Sequence, residues 1–384
     1  MNTICLKKVV GGLWISLILV THLAQSEASE FESLLCLETQ SDSTIFAKNT
    51  DQQFTAGNAS KIAALYVIFE RLKQRGISLS EEVEITEPPE RVDGENIFLQ
   101  TGDRITISDL LKAVTLTSAN DALMALVKHL GFNELSFVAE MNKIANGLGL
   151  RNTRFSNILG TAPNNQHTTA RDLVNLVKSL LEKFPESLNF FSEKSMTWHG
   201  INHYNTNEMV WRDTKSDGLL SVNIGDNHLF LITTKTKERR IITAALTTGD
   251  RKDSARLVQG KITEALEDYR LVRLFKALEV VKVISLKNSP KTFLNAGFES
   301  DVHLTIPSDM LHELTTELIT IQPQTAPIES GTVVGKATIR IGKNEMRRVD
   351  LVALENAEEQ NFLQKGWFAL KLLFSNLLNF FGFR

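Results

Sequence analysis

The chain is short of cysteine, of charge imbalance and of long apolar runs, and each shortage removes a class of answer. Cys5 and Cys36 are the two cysteines in 384 residues, too few for a disulfide framework. No Cys/His cluster has zinc spacing and no glycine-rich loop has phosphate-cradling spacing, so neither a metal nor another cofactor is expected. Lysine plus arginine total 42 against 45 for aspartate plus glutamate, a net charge of −3. A general nucleic-acid binder needs a basic field that this balance does not supply. No apolar run reaches the roughly 20 residues of a spanning helix. Internal repeats and low-complexity linkers are absent.

What is present is a foldable mixture, with 42% hydrophobic and 23% charged residues and room for two or three domains. The two ends differ from the middle. Lys7 and Lys8 precede the apolar run Val9–Val20, and the small residues Ala24, Ser26 and Ala28 follow. That order predicts a secretory signal over 1–28, cleaved after Ser26 or Ala28, which would remove Cys5 and leave Cys36 as a small buried hydrophobe. An uncleaved anchor helix is the other reading. At the far end Trp367, Phe368, Leu370, Phe374, Phe380 and Phe381 crowd a segment in which Lys371, Ser375 and Asn379 recur every fourth residue. The spacing predicts an amphipathic helix over 357–384 lying in a membrane interface, with Lys365, Lys371 and Arg384 near anionic headgroups. A terminal helix packed on the protein's own core is the alternative.

Between the ends, Leu34–Leu37 and Ser43–Ala47 read as short strands. Asn58–Arg75 has helical spacing closed by Gly76, and Leu110–Leu130, Phe132–Leu148, Thr169–Phe184 and Ser254–Tyr269 read as further helices. Leu229–Thr234 and Arg240–Thr247 read as paired strands. After about residue 278 the pattern turns to short β-type runs punctuated by Pro and Gly. The expected organisation is an α+β domain over 29–275 and a small β-sandwich domain over 276–356.

These landmarks carry a resemblance. The stretch Leu110-Leu-Lys-Ala-Val-Thr-Leu-Thr-Ser-Ala-Asn-Asp-Ala122, then Met141-Asn142, Leu148–Asn157 and Thr169-Ala-Arg-Asp172, follow one another in the order of the low-molecular-mass penicillin-binding proteins, the D-alanyl-D-alanine carboxypeptidases of bacterial cell walls. Val302–Pro307, Ala326–Gly335 and Leu351–Leu354 resemble that family's C-terminal β domain, and the closing aromatic segment resembles its membrane anchor. The resemblance implies a β-lactamase-like transpeptidase domain followed by a β-sandwich. It also implies acyl transfer from peptides ending in D-Ala-D-Ala, with peptidoglycan peptides and the periplasmic face of the cytoplasmic membrane as partners.

That reaction uses a serine nucleophile with a lysine three residues later on the same helical face. A Ser-x-Asn pair relays protons, and an Asp-Gly-x-Lys-Thr-Gly strand supplies a cation and a hydrogen-bonding edge. The Ser-x-Asn pair is matched by Ser118 and Asn120. Lys61 matches the lysine, but the serine position is Asn58, whose carboxamide has no ionisable hydroxyl. Ser60 is adjacent to Lys61 and points about 100° away on a helix. No lysine in the chain has a serine three residues before it. In the third motif Asp217-Gly218-Leu219 is followed by Leu220-Ser221-Val222, so the cation and the glycine are lost. A shifted match at Lys215-Ser-Asp-Gly218 is the alternative.

By the resemblance Arg171, Arg251 and Ser221 are candidate substrate-binding residues, with ion pairing as the other reading for each arginine. Asn58 could instead serve as a helix N-cap, and Lys61 as a buried lysine bonded to Ser118 and Asn120. His167, His199 and His203 are read as solvated. The expectation is a divergent, catalytically impaired family member that binds peptidoglycan peptides or a cell-wall partner. The rival is an active serine-type carboxypeptidase whose nucleophile is not evident.

Overall fold

The computed structural model describes residues 29–87, 94–161, 165–212, 215–321 and 324–360. The expected signal over 1–28 and the aromatic segment from Trp367 to Phe381 lie outside the described residues. Among those described, no helix is long and apolar enough to cross a membrane.

The first domain opens with strands β1 (Phe31–Glu38) and β2 (Ser43–Lys48), paired antiparallel around a tight turn. Helix α1 (Ser60–Arg75) follows, entered through a 3₁₀ turn over Gly57–Ala59. Gly76 ends it in the left-handed region at φ 64°, where glycine carries no Cβ penalty. Its Ser60–Phe69 stretch is buried on every side, so α1 is the central helix of the domain. A small pair, β3 (Glu82–Glu84) and β4 (Arg104–Thr106), leads to α2 (Ile107–Thr117). The continuous helix expected over 110–130 is two helices: α2 stops at Ser118, which takes φ 60°, and α3 (Asn120–His129) begins two residues later. Apolar spacing runs through the break because both pieces bury the same core face, so periodicity alone conceals it.

Helices α4 (Glu134–Gly147) and α5 (Ala170–Lys183) complete the helical layer; Thr169 caps α5 by accepting from the Asp172 backbone. A short α6 (Leu188–Ser192), the hairpin β5 (Ser195–Trp198) and β6 (Ile201–Tyr204), and α7 (Met209–Arg212) lead to three long strands. These are β7 (Ser216–Ile224), β8 (Asn227–Lys235) and β9 (Arg240–Thr247). They close the antiparallel sheet in the order β2-β1-β9-β8-β7, which leaves β7 at an edge. Helix α8 (Arg251–Glu267) covers the outer face, where Val258 and Ile262 meet Phe230 and Ile232. Cys36 is buried in this sheet, and burial pushes its thiol up to about 12, so it is an inert core residue.

The second domain is all β: β10 (Tyr269–Phe275), β11 (Lys282–Lys287), β12 (Phe293–Gly297), β13 (Val302–Pro307), β14 (Leu314–Thr320), β15 (Gln324–Thr325), β16 (Val333–Ile341) and β17 (Asn344–Ala353). Six of them form one sheet in the order β14-β16-β17-β12-β11-β15, and β10 pairs with β13. Both sheets contribute to one core around Ile284, Phe298, Leu304 and Ile339. A junction after residue 275 would leave β10 in the first domain; its pairing with β13 puts the strand in the second. The domains meet at Glu38, which is fully buried and accepts from the Gln40 and Ser41 backbones at 3.0 and 2.7 Å and from Thr305 Oγ1 at 3.3 Å. Arg347 donates across the same seam to the Ser41 carbonyl at 2.9 Å and, within its own domain, to the His303 carbonyl at 3.1 Å.

Candidate active site

The first turn of α1 places Lys61 under the break between α2 and α3. Its side chain is 3% exposed, and Nζ donates to the Ser118 carbonyl at 2.5 Å. That carbonyl is accessible because Ser118 leaves the helix in the left-handed conformation. Burial pushes the Lys61 amine down to about 7, partly offset by the charge of Glu95. A lysine poised there is a competent proton acceptor. Catalysis also needs a hydroxyl or thiol to give it a proton.

Three residues before Lys61 stands Asn58, in the 3₁₀ turn. It does not cap the helix: the cap positions are Ala56 and Ala59, and neither makes a side-chain capping bond. The turn satisfies its own backbone, with Ala59 donating to Ala56 at 3.0 Å, so a cap is not required there. The turn is closely packed. A Cβ on Gly160 would lie 2.1 Å from the Gly57 carbonyl oxygen and 2.9 Å from the Asn58 nitrogen, so the 157–160 loop lies directly on it. Ser60, fully buried, turns its hydroxyl to the Ile158 carbonyl at 3.4 Å, away from Lys61.

Asn120 is 3% exposed, and a Cβ on Gly94 would come within 2.8 Å of its Nδ2. The segment that brings Gly94 there is pinned to the start of α3. Glu95 accepts from the Asn120 backbone at 2.7 Å, and the buried Asp121 carboxylate accepts from Ile97 and Leu99 at 3.1 Å each. The Asn120 carboxamide is therefore packed under backbone. Sequence reasoning missed Gly94 and Glu95 as site neighbours, since they carry no motif and arrive from a loop, and it gave no role to Asp121, the residue after Asn120 in α3.

The edge strand β7 forms the wall. Leu220 and Val222 are buried in the helical core, and Ile224 reaches Gly57, its Cδ1 3.0 Å from where a Cβ would stand. On the other face Arg251 donates to the Ser221 carbonyl and hydroxyl at 3.1 and 3.0 Å and to Asn223 at 2.9 Å, and it lies 3.6 Å from Glu208. Arg251 and Ser221 are thus brought together, on each other. Arg171 is not brought to this group: it binds Asp51 at 2.7 and 2.9 Å and the Thr50 hydroxyl at 2.7 Å. The shifted match at Lys215 fails on register. Lys215 lies just before β7, outside the strand that carries Leu220 and Ser221. Asp217 at the better match is held by Arg240 through two bonds of 2.7 Å.

The histidines divide. His199 is exposed as expected, pairing with Asp103 at 3.1 Å and stacking on Trp198, whereas His203 lies in β6 with Nε2 buried and is less solvated than expected. No group of three or more metal-ligating side chains occurs among the described residues.

Comparison with known proteins agrees with this architecture. The family profile described as D-alanyl-D-alanine carboxypeptidase matches residues 21–249, and that of the penicillin-binding protein 5 C-terminal domain matches 269–359. The chain belongs to the D-alanyl-D-alanine carboxypeptidase family. It is 27% identical over 373 residues to the carboxypeptidase DacC of Escherichia coli, covering 93% of each chain. It is 23% identical over 347 residues to DacF of Bacillus subtilis, covering 88% of each. In fold it is similar to the crystal structure of penicillin binding protein 5 from Haemophilus influenzae, with a TM-score of 0.80 at 23% identity over 86% of this chain and 98% of that one.

Proposed function

We propose that this chain is a cell-wall protein of the carboxypeptidase family from which acyl-enzyme chemistry has been lost. It is exported by its N-terminal signal and held at the periplasmic face of the cytoplasmic membrane by its C-terminal segment. The observation that carries the reading is the carboxamide of Asn58 three residues before Lys61. An amide offers no proton for Lys61 to take and no alkoxide to attack with. Removing a catalytic serine costs on the order of 10⁶ in turnover.

The wall supports the same conclusion. Leu220 and Val222 occupy the positions where the family resemblance calls for a cation and a glycine. A terminal carboxylate would meet buried apolar side chains there, at a large desolvation cost. On this reading the groove does not hold a peptidoglycan peptide by its terminal carboxylate. The protein serves the wall by contact with another partner, through surfaces outside the old acyl site.

The test is incubation of the purified protein with a fluorescent penicillin, followed by a denaturing gel. The expected result is no covalent band. A labelled band, mapped by mass spectrometry to any hydroxyl, overturns the proposal. Calorimetry with a peptide ending in D-Ala-D-Ala addresses the groove directly, and no heat of binding is expected.

A further inference from the structure

The turn between β8 and β9 borders a cavity of about 560 Å³ where the two domains meet. Its lining carries five cationic side chains, Lys215, Lys235, Lys237, Arg239 and Arg270, against one carboxylate, Glu238. That is a strong local excess in a chain of net charge −3. The side chains of Lys235, Lys237 and Arg270 make no hydrogen bond or ion pair among the described residues.

Arg239 is fixed by Nη2, which donates to the carbonyls of Ala265 and Leu266 at 2.9 and 2.7 Å, at the end of α8. Its Nη1 is buried and has no acceptor. Burial pulls this guanidinium down from its ordinary range; Glu38 partly offsets that pull and the like charge of Arg270 adds to it. Glu38 cannot serve as the missing acceptor, since its oxygens are engaged by Gln40, Ser41 and Thr305. Like charges held together around a concave surface are unfavourable unless an anion neutralises them.

A carboxylate would bring one charge and two oxygens. A phosphate group brings up to two charges and three or more acceptor oxygens, and it matches a fixed guanidinium flanked by flexible ammonium groups. We propose that this cavity binds a phosphate oxyanion through Arg239, Arg270, Lys235 and Lys237, supplied as free phosphate or as the headgroup of an anionic lipid. The site is at the opposite end of β7 from Ile224 and stands independently of the reading of the acyl site.

The experiment is calorimetry of the full chain with inorganic phosphate, comparing wild type with the double variant Lys237→Gln/Arg270→Gln. Both side chains are exposed, so the fold is spared, and a thermal melt of the variant checks it. The expected result is binding that weakens with added sodium chloride and falls at least tenfold in the variant. No binding to wild type, or equal binding to both, overturns the proposal. Sedimentation with vesicles of phosphatidylglycerol and phosphatidylcholine separates the two sources. A fivefold or greater loss of vesicle partition in the variant assigns the headgroup. Unchanged partition with lost phosphate binding assigns free phosphate.

Discussion

At the scale of single residues the site is defined by one exchange and one retained lysine. On the proposed reading Asn58, three residues before Lys61, stands in place of the nucleophile, and Lys61 donates to the Ser118 carbonyl. Burial lowers the Lys61 amine from 10.5 to about 7. Between those values the unfolded chain binds a proton that the folded chain has released. Stability therefore rises with pH across that window, by up to about 1.4 kcal/mol per unit, and this contribution is constant below pH 7. Lys61→Met removes the group at similar volume. Measured by denaturant melts, the stability of wild type relative to this variant should rise from pH 7 to 10 and stay level from pH 5 to 6. A parallel pair of curves would contradict the assignment. Asn58→Ser restores a hydroxyl but not the cation or glycine of β7. It is expected to give at most a trace of fluorescent-penicillin labelling, with added labelling when Leu220→Lys and Val222→Gly are included. That Asn58 departs from the motif was legible in sequence. That it makes no helix cap was not, because a 3₁₀ entry is set by packing against the 157–160 loop.

At the scale of elements the loops decide more than the helices. Gly160 sits at φ 82° against the Gly57 carbonyl, a position no side chain can occupy without moving one backbone or the other. Gly160→Ala should cost about 2 kcal/mol or more and loosen the α1 entry. Urea midpoints measure the first effect, and hydrogen exchange at Asn58–Ser60 the second. Asp121 holds the 94–99 segment over the α2–α3 break through the Ile97 and Leu99 amides. Asp121→Ala would leave buried donors without an acceptor and should cost about 2–3 kcal/mol. It should also expose the segment to protease earlier than the rest of the domain. The sequence placed α1, α4, α5, β8 and β9 within a few residues, because each has a clear apolar period and a cap or turn. It merged α2 with α3, since a left-handed serine has no signature in periodicity.

At the scale of the whole molecule the two domains are joined by a buried acid. Glu38 is satisfied from both sides of the seam, by Ser41 and Thr305. Glu38→Ala should destabilise the chain by about 2–3 kcal/mol and split its calorimetric transition into two, where wild type gives one. Deleting Trp367–Arg384 should release the protein from membranes. Continued membrane fractionation of the shortened chain would remove the anchor from the account.

Composition, apolar period and motif order were enough to determine the class of fold and the family, and to place Asn58 three residues before Lys61. Those depend on residue identity and local spacing, which a chain carries with it. The state of Lys61, the covering of Asn120 by Gly94 and the pairing of Ser221 with Arg251 were decided by the tertiary structure. So was the gathering of cations beside the β8–β9 turn. Each of these needs segments far apart in sequence to meet, and burial and charge are properties of the meeting rather than of the segments.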